Sequence, residues 1–374
     1  MFSRVAMMTR GAPALLPRAK IVEVARVQCA PRSAAALQFL RCASSSPPTE
    51  QRKDDRAASY STTPAPSTCA TNGIVNGTPK FNPAMFNILS SQQVDVYPLS
   101  GTVGAEVRGV DLAQPLSDAD KDRILEAYFR YGAVFFRDQN ITHAQHLALA
   151  AEFGEPEPHP IVAGIDGYPE IVRIIKDANS VTKFGETWHS DHSFMEEPCV
   201  GSVLVARELP PYGNDTLWAS MYAVYNSLSD GLKAMLDDMT AVHSAAYAFR
   251  PDEGDRSDNY DGKKEMKYQL HPILQQDVEH PAVITHPVTG KKALYVNNMF
   301  TVRFKGMTEK ESRPLLEYLF SVVARPEFQC RFRWSPGSIA FWDNRATQHM
   351  AVGDETRFRR VMERITLKGC APSK

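Results

Sequence analysis

The chain has six cysteines but no Cys-x-x-Cys pair among Cys29, Cys42, Cys69, Cys199, Cys330 and Cys370, so neither a zinc ribbon nor a disulfide framework is indicated. Gly-x-Gly-x-x-Gly and Walker patterns are absent, which leaves nucleotide binding without a motif. There is no Gly-x-Ser-x-Gly elbow, and a serine hydrolase is set aside. No apolar run approaches the roughly 20 residues that cross a bilayer as a helix, and no internal repeat is visible. Charge of one sign is lacking too. A net charge of −1 argues against nucleic acid or an anionic membrane as the main partner. Hydrophobic residues make up 43% of the 374, ample for a core in one large domain or two ordinary ones.

The amino-terminal region differs from the rest. Residues 1–45 carry seven Arg/Lys against the single acidic Glu23, with Ala, Met, Leu and Val between. That is the composition of a mitochondrial transit peptide. Pro13 and Pro17 would interrupt a long amphipathic helix there, and a plain extension, with a cytoplasmic protein, is the other reading. Residues 46–93 continue as a Ser/Thr/Pro-rich linker, and a globular pattern occupies 94–374.

Within that region the helix starts are written in capping residues. Ser117 with Asp120, Thr142 with Gln145, and Thr308 with Glu311 each have the spacing of a capping box, and Gly154 closes the second helix. Ser220 opens helical spacing through Val224, Leu228 and Leu232, with a break expected at Gly231. Ala133 to Phe136, Val200 to Ala206, Ala293 to Val296 and Ile339 to Trp342 read as strands. Lys291-Lys292 after Gly290 reads as a hairpin with a solvated end, Asn297 as a strand-end cap, and Phe341 and Trp342 as core. Arg250 to Lys267 is charged and nearly free of aliphatics, as in an exposed loop or lid. Strands and helices alternate without a repeating βαβ unit, which points to an α+β fold.

The chemistry concentrates in two places. In Trp188-His189-Ser190-Asp191, extended backbone would put His189 and Asp191 on one face, where both can reach one metal. Much further along, His349 opens the pattern His349-x10-Arg360-x3-Arg364. Two histidines and a carboxylate are the ligand set of a non-haem Fe(II) oxygenase, which leaves coordination positions open. An arginine beyond the second histidine suits a bidentate grip on a carboxylate cosubstrate. Arg360 and Arg364 share a face of a strand about 13 Å apart at about 3.3 Å per residue, far enough to hold two different anions.

Each signal is weak alone. Among ten histidines a His-x-Asp arises easily by accident, His349 could be a core histidine, and the arginines could form a solvated strand edge. The joint pattern with its flanks, Trp188, Phe194 and Asp343-Asn344-Arg345, weighs against coincidence. The same three side chains also suit zinc in a hydrolase, although that chemistry has no evident need for the paired arginines.

These residues resemble the TauD/TfdA family of Fe(II)/2-oxoglutarate-dependent dioxygenases from about Tyr97 to Gly369. The likeness includes Gly109-Val110-Asp111-Leu112, Val134-Phe135-Phe136-Arg137-Asp138-Gln139, Asp215-Thr216-Leu217-Trp218 and Gly337-Ser338-Ile339-Ala340-Phe341-Trp342-Asp343-Asn344-Arg345. It implies a double-stranded β-helix (a cupin-like jelly roll) with flanking helices, bringing residues 189 and 349 to one mouth. It implies that His189, Asp191 and His349 bind Fe(II), and that Thr216 and Arg360 hold the far carboxylate of 2-oxoglutarate, with O2 as the other cosubstrate. By the same resemblance His159, Phe249 and Arg364 contact the substrate. Val162 stands where the taurine enzymes have a tyrosine, and Gly185 where they have an asparagine.

The resulting expectation is hydroxylation of a small anionic molecule, a sulfonate, sulfate ester or related carboxylate, with release of succinate and CO2 and cleavage where the product is unstable. A protein that binds 2-oxoglutarate or a partner without catalysis is the competing reading, and the intact triad weighs against it. The sequence leaves open whether the chain forms a homo-oligomer.

Overall fold

The structure, a computed structural model, describes residues 94–179, 185–249 and 266–374. The leader, the linker and residues 250–265 of the charged loop lie outside the described residues.

Helices begin where the caps stand. Ser117 accepts the Asp120 N–H and opens α1 (Asp118–Tyr131), which Gly132 closes in the left-handed region at φ 71. Full capping boxes open α2 (His143–Phe153) and α5 (Glu309–Val323). The helical run after Ser220 is two helices, α3 (Met221–Ser227) and α4 (Asp230–Asp238). The break falls at Leu228-Ser229 rather than at Gly231. Leu228 is extended, and Ser229 caps the next helix by accepting the Leu232 N–H. A serine able to cap breaks the helix more firmly than a glycine that merely tolerates it.

The larger sheet runs in the order β1 (Asp95–Pro98), β2 (Ala105–Arg108), β3 (Ala133–Phe136), β14 (Ile339–Asp343), β6 (Gly201–Glu208), β16 (Arg360–Leu367) and β4 (Pro156–Glu157), with β5 (Val172–Lys176) also paired to β16. A facing three-stranded sheet is β13 (Gln329–Phe332), β7 (Thr216–Ser220) and β15 (Thr347–Ala351). A further three-stranded sheet joins β12 (Thr301–Phe304), β8 (Thr240–Ser244) and β9 (Asp277–Pro281). The hairpin of β10 (Val283–Thr285) and β11 (Lys292–Leu294) turns through Gly290 at φ 66.

The central strands are buried on both faces, which is why they read as continuous apolar runs. Val134, Phe136, Val203, Val205, Ile339 and Phe341 face helices α1 and α2. Their alternates Phe135, Leu204, Ala340, Trp342 and Met362 face inward against Trp218 and Phe332 of the opposing sheet. This two-sheet core with helices on its outer face is the expected jelly roll within an α+β protein. The alternation also decides the site, because Arg360 and Arg364 share the parity of Met362 on β16 and so point into the barrel. Among the described residues no helix is long and apolar enough to cross a membrane.

Candidate active site

The triad forms where the chain closes a backbone bridge. The His189 N–H donates to the His349 carbonyl and the His349 N–H to that of His189, at 3.1 and 2.8 Å. His349 in turn sits opposite Trp218 in the β15–β7 ladder, which aims its ring inward. Asp191 follows in a turn rather than a strand, yet it reaches the same point. Its Oδ1 lies 3.8 Å from His189 Nε2 and 3.9 Å from His349 Nε2. The three candidate ligand atoms all lie within 4.8 Å of one another.

These residues fit a divalent metal. The nitrogen–oxygen separations are slightly under twice a metal–ligand bond of about 2.1 Å, so one ion can reach each pair. His189 Nδ1 donates to the Thr187 carbonyl at 2.7 Å, which leaves the Nε2 lone pair for the ion. Burial lowers the pKa of both histidines and keeps them neutral, as ligands must be. Burial alone would raise the Asp191 pKa, but the Arg364 guanidinium beside it holds its carboxyl far below the usual range.

Asp191 is fixed by neighbours of its own. Ser202 Oγ donates to Asp191 Oδ2 at 2.8 Å, which turns Oδ1 toward the histidines. Asn344 holds both partners. Its Oδ1 accepts the Asp191 N–H at 3.2 Å, and its Nδ2 donates to Ser202 Oγ at 3.1 Å. The turn that carries Asn344 toward His349 is braced by Asp343, which accepts the Arg345 guanidinium at 3.0 and 2.8 Å and faces His286 Nε2 at 2.9 Å.

Thr216 and Arg360 both lie against Trp334, whose ring is 6.0 Å from the Arg360 guanidinium. Arg360 is 8% exposed, and its Nε and Nη2 have no partner. Burial pushes its pKa down to about 10, with Asp215 opposing. A buried cation with idle N–H groups is costly, so the position suits an incoming anion. Trp334 Nε1 donates to Thr216 Oγ1 at 3.0 Å. The threonine's own O–H therefore remains to donate.

Arg364, expected from the sequence to contact the substrate, reaches the triad itself, and His159 and Phe249, also expected to contact it, lie 6.0 Å apart. Arg364 Nη1 lies 2.5 Å from Asp191 Oδ1, and its Nε is buried without a partner. It is buried and paired to a metal-ligand candidate, not part of a solvated strand edge, while Glu363 on the opposite face pairs with Arg173 and Arg207. His159 Nδ1 accepts the N–H groups of Ile161 and Val162 at 3.0 Å each. The proton is thus on Nε2, and burial drives the pKa well down and holds the ring neutral. From His159 an aromatic wall runs through Phe249 at 6.0 Å, Phe194 at 5.8 Å and Phe300 at 4.9 Å, ending 6.3 Å from the His189 ring. Val162 is buried and bridges Tyr268. Gly185 has φ 70, and a Cβ there would stand 3.6 Å from His189 Cε1.

Sequence reasoning missed Ser202, Trp334 and His192. Ser202 and Trp334 lie in unremarkable strand and strand-end segments, and only the sheet pairing reveals their targets. His192 is left-handed at φ 56, buried, and 4.6 Å edge-on to His159. Its one signal was adjacency to Asp191.

The sequence matches the family model described as taurine catabolism dioxygenase TauD, TfdA family over residues 95–366. It is 34% identical over 292 residues to an alpha-ketoglutarate-dependent sulfate ester dioxygenase of Pseudomonas putida, covering 78% of this chain and 95% of the relative. It is also 34% identical to an alkylsulfatase of Acinetobacter baylyi, covering 75% and 86%. Among solved structures it resembles a taurine dioxygenase from Burkholderia xenovorans, with TM-score 0.63, 38% identity and coverage of 75% and 91%.

Proposed function

The chain belongs to the TauD, TfdA family, so it is a dioxygenase that uses Fe(II), 2-oxoglutarate and O2, and we propose that its substrate is a sulfate ester or sulfonate with an apolar arm. One observation carries the reading: the buried guanidinium of Arg364 stands against Asp191 of the triad, and an aromatic wall ends at His189 of the same triad. The relatives named for sulfate esters support the same choice.

In this reading His189, Asp191 and His349 hold the iron. When bound, Fe(II) couples oxidative decarboxylation of 2-oxoglutarate to insertion of one oxygen atom into a C–H bond. Arg360 and Thr216 grip the far carboxylate of the cosubstrate and set its orientation. Arg364 and the Nε2–H of neutral His159 receive the anionic head of the substrate. Phe249, Phe194 and Phe300 line its hydrocarbon arm and exclude water. Hydroxylation of R–CH2–O–SO3⁻ at the carbon beside oxygen gives R–CH(OH)–O–SO3⁻, which loses bisulfate to leave R–CHO. A wall of phenyl rings offers taurine's primary ammonium no hydrogen-bond acceptor for its three N–H groups, and their desolvation is penalised.

The test is a screen of alkyl sulfates, alkyl and aryl sulfonates, aryloxyacetates, betaines and taurine for stimulated succinate release. Alkyl sulfates and sulfonates should exceed taurine and betaines, with sulfate or sulfite as co-product. Arg364→Ala should lower kcat/KM for every anionic substrate by about 100-fold, and Arg364→Lys should recover part of it. Faster turnover of a neutral or cationic substrate would sink the assignment.

The leader composition supports mitochondrial import. A fluorescent fusion of the full chain should reach mitochondria, and one starting at residue 46 should not.

A further inference from the structure

Asn214 is buried at 3% exposure, and neither its Oδ1 nor its Nδ2 has a partner. It is one of only four non-glycine residues among those described with positive φ, at 53. Asp354 pins it by accepting its backbone N–H at 2.7 Å. Of the two residues that follow, Asp215 Oδ2 accepts from Arg331 Nε at 2.6 Å, and Thr216 Oγ1 accepts from Trp334 and keeps its O–H to donate. Asn214 lines the same small cavity as Arg360, whose Nε and Nη2 are likewise idle. Buried amides are rarely left unsatisfied, because each unmade hydrogen bond keeps its desolvation cost. Two such groups facing one cavity indicate a shared ligand.

We propose that Asn214 is a further cosubstrate-binding residue, its Nδ2 donating to the far carboxylate of 2-oxoglutarate beside Arg360 and Thr216. The inference rests on the assignment of that carboxylate to Arg360. An amide suits the role because it adds a donor without a second charge to desolvate. The left-handed backbone places it, and asparagine tolerates that conformation where most residues do not.

The experiment is anaerobic calorimetric titration of the Fe(II)-loaded protein with two ligands. These are 2-oxoglutarate and 2-oxopentanoate, which has the same length but ends in a methyl group. Asn214→Gly removes the amide and accepts the positive φ, so the free protein should melt no lower than wild type. Its Kd for 2-oxoglutarate should rise about 10-fold, while 2-oxopentanoate binds as before. Asn214→Asp keeps the shape but offers a carboxylate to a carboxylate, and should weaken 2-oxoglutarate further. Unchanged 2-oxoglutarate affinity in both variants, or equal loss for both ligands, would overturn the role of Asn214. The Arg360→Ala variant separates the two levels. If it fails to discriminate the ligands, the carboxylate site itself lies elsewhere and the proposal falls with it. If it discriminates and Asn214→Gly does not, only the role of Asn214 is lost.

Discussion

At the residue scale, the acidic ligand depends on partners that decide which of its oxygens faces the histidines. Ser202 Oγ takes Asp191 Oδ2 at 2.8 Å, and Arg364 shares Oδ1 at 2.5 Å with the space between the rings. A carboxylate oxygen has two lone pairs, so accepting a hydrogen bond and binding an ion are compatible. Asp191→Ala should abolish iron-dependent succinate release while leaving the far-ultraviolet dichroism intact. Ser202→Ala tests the orientation itself. Losing a hydrogen bond to a ligating group typically weakens metal binding by about 10–100-fold, and titration of the metal-free protein with Mn(II) or Fe(II) should show that loss. Wild-type affinity in the Ser202→Ala protein would mean that the hydroxyl is not what orients the carboxylate. That Arg360 and Arg364 share a face was legible from parity, since i and i+4 in a strand point the same way, whereas the roles expected of them came from the family resemblance. Their partners were not legible, because Asp215, Trp334 and Asp191 reach them from other strands and turns.

At the element scale, local chemistry was enough for the helices. The boxes at Thr142–Gln145 and Thr308–Glu311 satisfy N–H groups at each helix start, and those bonds form within four residues of sequence. Thr308→Ala should cost about 1 kcal/mol, lowering the melting temperature by about 2–4 °C in a domain of this size. Turnover per folded molecule should stay unchanged, because α5 carries none of the site residues; a loss of turnover at equal folded fraction would contradict that separation. The apolar runs at Ala133–Phe136 and Ile339–Asp343 were legible as buried strands for a similar reason. What no run discloses is pairing. The bridge between His189 and His349 joins segments distant in sequence, and neither flank carries a register signal. The break at Ser229 shows the same limit on a smaller scale, where two adjacent candidates competed and hydrogen bonding prevailed over flexibility.

At the scale of the whole molecule, the fold buries several histidines in the neutral state, and this sets its response to acid. His146, away from the triad on α2, has its pKa lowered to about 4, mainly by burial and further by Arg207 and His143, with the Val203 carbonyl and Glu363 opposing. His243 and His280, 5.3 Å apart, are also lowered by burial. In the unfolded chain each would titrate near 6.5. Between that value and the folded pKa the unfolded state binds more protons, so stability rises with pH across the window. Their contribution is therefore complete above about pH 6.5 and is lost as the pH falls through the window. For His146 alone the window spans 6.5 to about 4, equivalent to about 3 kcal/mol at its acid end. Urea unfolding of the metal-free protein should show stability falling from pH 6.5 downward, before most carboxylates protonate. His146→Leu should lower stability at pH 7, since the Val203 carbonyl loses its partner at 3.2 Å. It should also flatten the slope between pH 6.5 and 4 by up to one proton. The slope is the diagnostic quantity, because a purely structural role for His146 would shift the whole curve and leave its steepness unchanged.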